Sequence, residues 1–181
     1  MDAVIQTRPF RGERIAVQTR RAFDAVLHGL RQAMGKATVS EINALAKESR
    51  SEDEFCRRVE ERYVGKSGFM LFAEIDHSAW LPRFGLNRRV VRWILGNPLY
   101  AITMIRHDIS AGLFAPVELL VTEDLVQGGS TVTYVRPSTL MVIEDNPPLL
   151  EAALSLDAKL AALVAGATND VVIPNHQGAG K

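Results

Sequence analysis

The chain has almost no cysteine. Cys56 is the single one in 181 residues, so no internal disulfide can form, which fits a reducing compartment. Net charge is absent too, with 21 Lys plus Arg against 21 Asp plus Glu, whereas a nucleic-acid binder usually carries a basic excess. Nothing approaches the roughly 20 consecutive apolar residues of a membrane span. The best stretch, residues 93–105, is broken by Gly96-Asn97-Pro98. Residues 1–10 hold no apolar run of signal-peptide length. The expectation is a cytoplasmic protein with no nucleic-acid and no membrane partner.

Catalytic and cofactor signatures are equally scarce. Gly65-Lys66-Ser67 resembles the end of a phosphate-binding loop, but Glu60 stands where its first glycine belongs, and a strand pattern follows instead of a helix. There is no Gly-x-Ser-x-Gly elbow, no His-Glu-x-x-His, no cysteine pair and no dinucleotide fingerprint. His77 with Glu74, His107 or Asp108 has no diagnostic ligand spacing. No metal and no cofactor is expected.

What is present is an ordinary globular composition, 47% hydrophobic and 23% charged in 19.9 kDa. A chain of this size buries roughly two-thirds of its unfolded surface, so the core is sizeable. Arg14 to Gln18 alternates like a short first strand, and Thr19 stands where it can cap the next helix. Phe23, Val26, Leu27, Leu30 and Met34 recur at helical spacing, and Gly35 ends that helix. Residues 36–66 hold seven basic and seven acidic side chains in 31 positions. Two capping boxes, Thr38…Glu41 and Ser51…Glu54, predict a pair of helices there, each with one face on the core and the rest in water. The reading of this segment as a partner-binding helical hairpin stands beside that one.

Residues 68–75 form a dense apolar run ending in Asp76-His77, and 78–84 a short helix or turn interrupted by Pro82. Residues 88–95 alternate as a strand, with Val91, Trp93 and Leu95 on one face and Val90, Arg92 and Ile94 on the other. A short helix follows Gly96-Asn97-Pro98. Residues 117–122 and 131–135 are β-branched strands joined through Gly128-Gly129, a hairpin signal. Asn146-Pro147-Pro148 opens a last amphipathic helix. From Gly166 the composition turns to Gly, Asn, Pro and Gln, predicting a loose tail over 166–181 with a docked stretch at 171–173. The expected fold class is α+β: one domain over 1–165, a mainly antiparallel or mixed sheet backed by helices, with the hairpin 36–66 inserted.

Two constellations carry the functional argument. Between Arg83 and Arg106 lie five arginines (Arg83, Arg88, Arg89, Arg92 and Arg106) and no acid, while residues 107–124 hold four acids and no Lys or Arg. Either these segments pair across a sheet or a dimer interface, or the basic one surrounds an anion site. In Gly96-Asn97-Pro98 the Gly permits a turn, the Asn caps and the Pro suits a first helical position, so the helix start could present amides to an anion near Arg88, Arg92 and Arg106. The plainer reading is a capped structural turn. Asp76-His77 ends a buried strand, where a histidine could act as general acid or base with Asp76 orienting it. Neighbouring strand residues point to opposite faces, however, and Asp-His-Ser also reads as a simple cap.

Phe72-Ala73-Glu74-Ile75-Asp76-His77, Phe84-Gly85-Leu86, Ile94-Leu95-Gly96-Asn97-Pro98, residues 115–124 and residues 132–137 together resemble the bacterial domain-of-unknown-function family numbered 302. The resemblance spans about 66–165, with 14–34 fitting as its beginning. Residues 36–66 look like an insertion, and Leu95 replaces the family's usual Phe. The resemblance implies a compact α+β domain, often a homodimer, and no established activity. It also marks His77, Gly96, Asn97 and Pro98 as positions typical of the family. The expected function is a homodimeric module binding a small, anionic molecule at Gly96, Asn97, Pro98, Arg88, Arg92 and Arg106. The alternatives are an interaction module using the 36–66 helices and an enzyme using His77 and Asp76.

Overall fold

The computed structural model describes residues 3–126 and 128–169. Its centre is a six-stranded mixed sheet, an open α+β arrangement and not a closed barrel. The strands are β1 (Arg14–Thr19), β2 (Gly35–Lys36), β3 (Met70–Asp76), β4 (Val90–Gly96), β5 (Val117–Glu123) and β6 (Ser130–Val135). Their order across the sheet is β1-β6-β5-β4-β3-β2, with β2 parallel to β3 and every other pair antiparallel. Helix α1 (Phe23–Ala33) carries the chain from one edge of the sheet to the other. The hairpin is built of α2 (Val39–Glu48) and α3 (Glu52–Tyr63). Helices α4 (Pro98–Ile105), α5 (Pro137–Met141) and α6 (Pro147–Thr168) complete the fold.

The alternation along β4 decides which face is covered. Val91, Trp93 and Leu95 are buried under α1 and α6 together with Val117, Leu119, Val121, Val132 and Tyr134 of β5 and β6. Leu27 and Leu30 of α1, with Leu156, Leu160 and Leu163 of α6, fill the other side of this core. Arg92 and Ile94 point to the opposite face, with Glu118 and Leu120 of β5. A second, smaller core joins Leu45 of α2, Val59 of α3 and Met70 of β3, so the hairpin covers one corner of that opposite face. The neck of the hairpin is closed by one acceptor: the amides of Gly35 and Gly65 both donate to the Phe69 carbonyl, at 2.9 and 3.1 Å.

The caps follow the sequence with three exceptions. Thr38 makes its reciprocal box with Glu41. Ser51 accepts from the Glu54 amide, but Glu54 reaches back to the amide of Arg50 instead of closing the box on Ser51. Thr19 caps nothing. Its hydroxyl donates to the Thr168 carbonyl at 2.6 Å, tying β1 to the end of α6, and α1 begins at Ala22 without a side-chain cap. The last helix runs through Gly166 to Thr168, because Ala167 and Thr168 are buried and Arg21 donates to the Ala167 carbonyl. The expected docked stretch at 171–173 lies outside the described residues. Helix α5 and the two-residue β2 carried no periodic signal, being too short for one. No helix of the described residues is long and apolar enough to cross a membrane.

Candidate functional site

At the end of the sheet where β3 begins, β4 ends and β5 begins, the chain encloses a half-open cleft of about 180 Å³. Gly96, Asn97 and Pro98 line it, with Tyr100, Ala101 and Met104 from the helix that they start. Phe69 and Phe72 enter from the β3 side, Ala115-Pro116 (a cis peptide) and Val117 from the start of β5, Leu156 from α6, and Val39 and Ile42 from α2. None of these side chains is charged, and only Asn97 and Tyr100 bring polar groups.

Each element reaches the cleft for a local reason. The β3–β4 register shifts between Leu71 and Ala73, leaving Phe72 as the bulged residue, and a bulge re-aims its side chain. Gly96 stands where a Cβ would lie 3.2 Å from the Pro116 Cβ and 3.3 Å from the Phe72 ring, so the absent side chain lets β4, β5 and Phe72 converge. Asn97 is buried, and each of its polar atoms has a partner: its Nδ2 donates to the Gly68 carbonyl at 2.8 Å and its Oδ1 accepts from the Leu99 amide at 2.8 Å. Gly68 has φ +83°, and a Cβ there would meet the Tyr100 hydroxyl. Tyr100 packs edge-on against Phe69 at 5.7 Å, with the Lys159 ammonium 4.9 Å from its ring centroid. Burial, and then the charge of Glu60, hold the Tyr100 hydroxyl above its ordinary pKa, so it is a neutral donor at pH 7.

This geometry bears directly on the anion reading. Pro98 has no amide hydrogen, the Leu99 amide goes to Asn97 Oδ1, and those of Tyr100 and Ala101 go to the Asn97 carbonyl at 3.0 and 2.9 Å. The helix start therefore offers no free amide to an anion. The arginines are elsewhere. Arg92 is on the open sheet face in a bidentate ion pair with Glu118. Arg88 donates through Nε to the Glu123 carbonyl at 2.7 Å. Arg106 ends α4, beside a groove between α3 and α4 that also holds Cys56. Of the two readings of charge polarity, cross-strand pairing within the chain describes Arg92 and Glu118, while Arg89 pairs with Asp24 on α1.

His77 and Asp76 sit at the opposite end of the same strand pair. Met70 is opposite Gly96 and Asp76 opposite Val91, so about 17 Å of strand separates that turn from the cleft, at roughly 3.4 Å per residue. Asp76 Oδ1 accepts from the Ser78 amide at 2.8 Å, and hydrogen bonding by Ser78 holds its carboxyl below the ordinary aspartate range. The His77 amide donates to the Val90 carbonyl, and its ring meets Trp80 edge-on at 5.5 Å. The structure thus gathers Gly96, Asn97 and Pro98 into one cleft, and brings neither His77, Asp76, Arg88, Arg92 nor Arg106 to it. Among the described residues no three His, Cys, Asp or Glu side chains gather as a metal site would require.

The aromatic and aliphatic lining was not singled out from the sequence. Phe69, Phe72, Tyr100, Met104 and Leu156 read as core residues, which most such residues are. What sets them apart is the crowding of Gly96 and Pro116 at facing strand ends, which the sequence does not display.

Comparison with known proteins places the chain. The model of the family described as "Domain of unknown function DUF302" matches residues 45–167, a span that begins within α2 and includes α3. Among solved structures, the crystal structure of an uncharacterized conserved protein DUF302 from Bacillus stearothermophilus is similar, at 17% identity and a TM-score of 0.58, over 85% of this chain and 97% of that one. At that identity the likeness speaks for the fold. No curated protein matches the chain.

Proposed function

The chain belongs to the DUF302 family, and with that as premise we propose that it is a homodimeric module that binds a small molecule in the cleft beside the Gly96-Asn97-Pro98 turn. The observation that carries the reading is the cleft itself: about 180 Å³, lined by apolar side chains, at a turn whose own polar groups are already satisfied. A cavity of about 150 Å³ lined by Leu, Ile and Phe is enough to take up benzene. Full ligand pockets run to roughly 300–1,000 Å³. The ligand class is therefore a small neutral aromatic or a short aliphatic group, not a free anion. A charged headgroup would have to remain outside, because no lining side chain pairs with it. Among the described lining side chains, the Tyr100 hydroxyl is suited to fix an orientation.

The test uses phenol and indole as probes, with the Met104 methyl and the aromatic signals of Phe72 and Tyr100 followed by NMR. Saturable shifts are expected at these residues, with none at His77. Ala101→Trp, which fills the cleft from α4, is expected to abolish the shifts while leaving the circular dichroism of the parent. Binding that survives Ala101→Trp, or the absence of any shift at saturating probe, overturns the reading.

A further inference from the structure

The sheet has two faces, and α1 and α6 pack on one of them. Among the described residues, the other is covered at the corner where Met70 meets α2 and α3. Over the rest, β4 presents Val90, Arg92 and Ile94, and β5 presents Glu118, Leu120 and Thr122. Ile75 of β3, with Thr131 and Thr133 of β6, extends the same surface on either side. Ile94, Leu120 and the threonines are half-buried and Ile75 is 37% exposed, so an apolar band lies open across the middle of the sheet.

We infer that this face receives a second copy of the chain, related by a twofold axis that crosses the Arg92–Glu118 diagonal. The inference rests on the homodimeric reading above and names the interface for it. The strand register makes the face self-complementary. Arg92 lies opposite Leu120, and Ile94 opposite Glu118. Two opposite charges therefore occupy one diagonal of a four-residue cell, and two aliphatic side chains the other. In an isologous contact, residue i of one copy meets residue j of its partner and the reverse. An axis lying in the interface across the charged diagonal sets Arg92 over the partner's Glu118, and Glu118 over the partner's Arg92. The same operation sets the apolar diagonal against itself. The patch is thus complementary to its own image, in charge and in hydrophobicity.

The existing ion pair does not consume this potential. Arg92 uses Nε and one terminal nitrogen on Glu118, out of five donor hydrogens, and a carboxylate has about four lone-pair sites. Both side chains remain well exposed, at 40% and 51%. Size is adequate too. Five strands about 4.8 Å apart and about 20 Å long cover on the order of 500 Å² in projection, which side-chain relief raises toward the roughly 800 Å² per partner of a standard interface.

The experiment is native mass spectrometry and light scattering of the full chain. The parent is expected to be a dimer. Leu120→Glu, a change on an exposed face that leaves the helix-backed core untouched, is expected to give a folded monomer. The decisive test mixes two variants, Arg92→Glu and Glu118→Arg. Each alone sets like charges against like across the axis, and each is expected to lose at least tenfold in dimer affinity. Mixed, every facing pair becomes opposite in sign, and a heterodimer is expected to dominate over both homodimers. The in-chain pair is broken in both variants, so this pairing preference reports the contact between copies. A parent that is monomeric at high micromolar concentration overturns the homodimeric reading itself. A dimer unmoved by all three substitutions leaves that reading standing and overturns the interface assigned here.

Discussion

At one end of the β3–β4 ladder the chain turns inside the protein, and at the other it turns in solvent. Both turns use a short polar side chain to hold an amide two residues on: Asn97 to Leu99 at 2.8 Å, Asp76 to Ser78 at 2.8 Å. The difference lies in what else the side chain must do. Asn97 is buried, so its second polar atom also needs a partner, and the Gly68 carbonyl supplies it. Asp76 is exposed and its remaining lone pairs face water. An amide fits the first place and a carboxylate the second, because burying a charge without a counter-ion costs far more than burying a satisfied amide. The interior turn can frame an apolar cleft for the same reason: its polar groups are spoken for before any ligand arrives. The solvent turn has a histidine beside a wide, open groove of about 590 Å³ that Trp80, Leu81, Leu86, Arg88 and Leu125 also line.

The same truncation at both ends is expected to give the largest difference between the two turns. Asn97→Ala leaves the Gly68 carbonyl and the Leu99 amide without partners in a buried place, and is expected to cost about 2–4 kcal/mol. Asp76→Ala exposes its freed amide to water and is expected to cost less than about 1 kcal/mol. Urea denaturation of the two variants checks the ranking, and equal losses would remove the distinction drawn here. Next in size is Gly96→Ala. Its Cβ would crowd Pro116 and Phe72, and relieving that crowding is expected to cost roughly 1–2 kcal/mol. Because Phe72 must move toward the cleft, phenol binding is expected to weaken as well, which titration of the Met104 methyl reads out.

Much of this was legible in the residues. The alternation 90–95 assigned the faces of β4 correctly, because an antiparallel strand with one wet face must alternate. Asn97 was recognisable as a cap and Asn146 likewise, since capping is a local event. The grouping of His77 and the arginines with Asn97 did not carry over into the structure. Proximity between Asp76-His77 and Gly96-Asn97 depends on which way β3 and β4 run, and antiparallel pairing sends the two motifs to opposite ends. The cleft was illegible for a different reason. Phe69, Phe72 and Met104 have the same chemistry whether they close a core or line a gap in one. What separates the two is the bulge at Phe72 and the crowding of Gly96 against Pro116, neither of which a periodicity reveals.

Two smaller effects sharpen the solvent end. His77→Ala removes an edge contact with Trp80, and as both rings are partly wet the loss is expected to stay below about 1 kcal/mol. Phenol binding is expected to be unchanged, a control that separates this turn from the cleft; a weakened titration would join the two ends after all. The smallest effect is a pH dependence. Ser78 holds the Asp76 carboxyl below its ordinary value in the folded protein, so the unfolded chain binds the proton more readily. The stabilisation is then present above the unfolded pKa, near 3.9 for aspartate, and is lost as pH falls through the folded value. Asp76→Asn is expected to remove that part of the acid slope and no other, which unfolding measured from pH 6 down to pH 3 resolves. At the cleft end Asn97 does not titrate and Tyr100 is neutral throughout this range, so probe binding there is expected to stay level wherever the fold persists. A binding profile that tracked the Asp76 titration would couple two turns that the strand between them keeps apart.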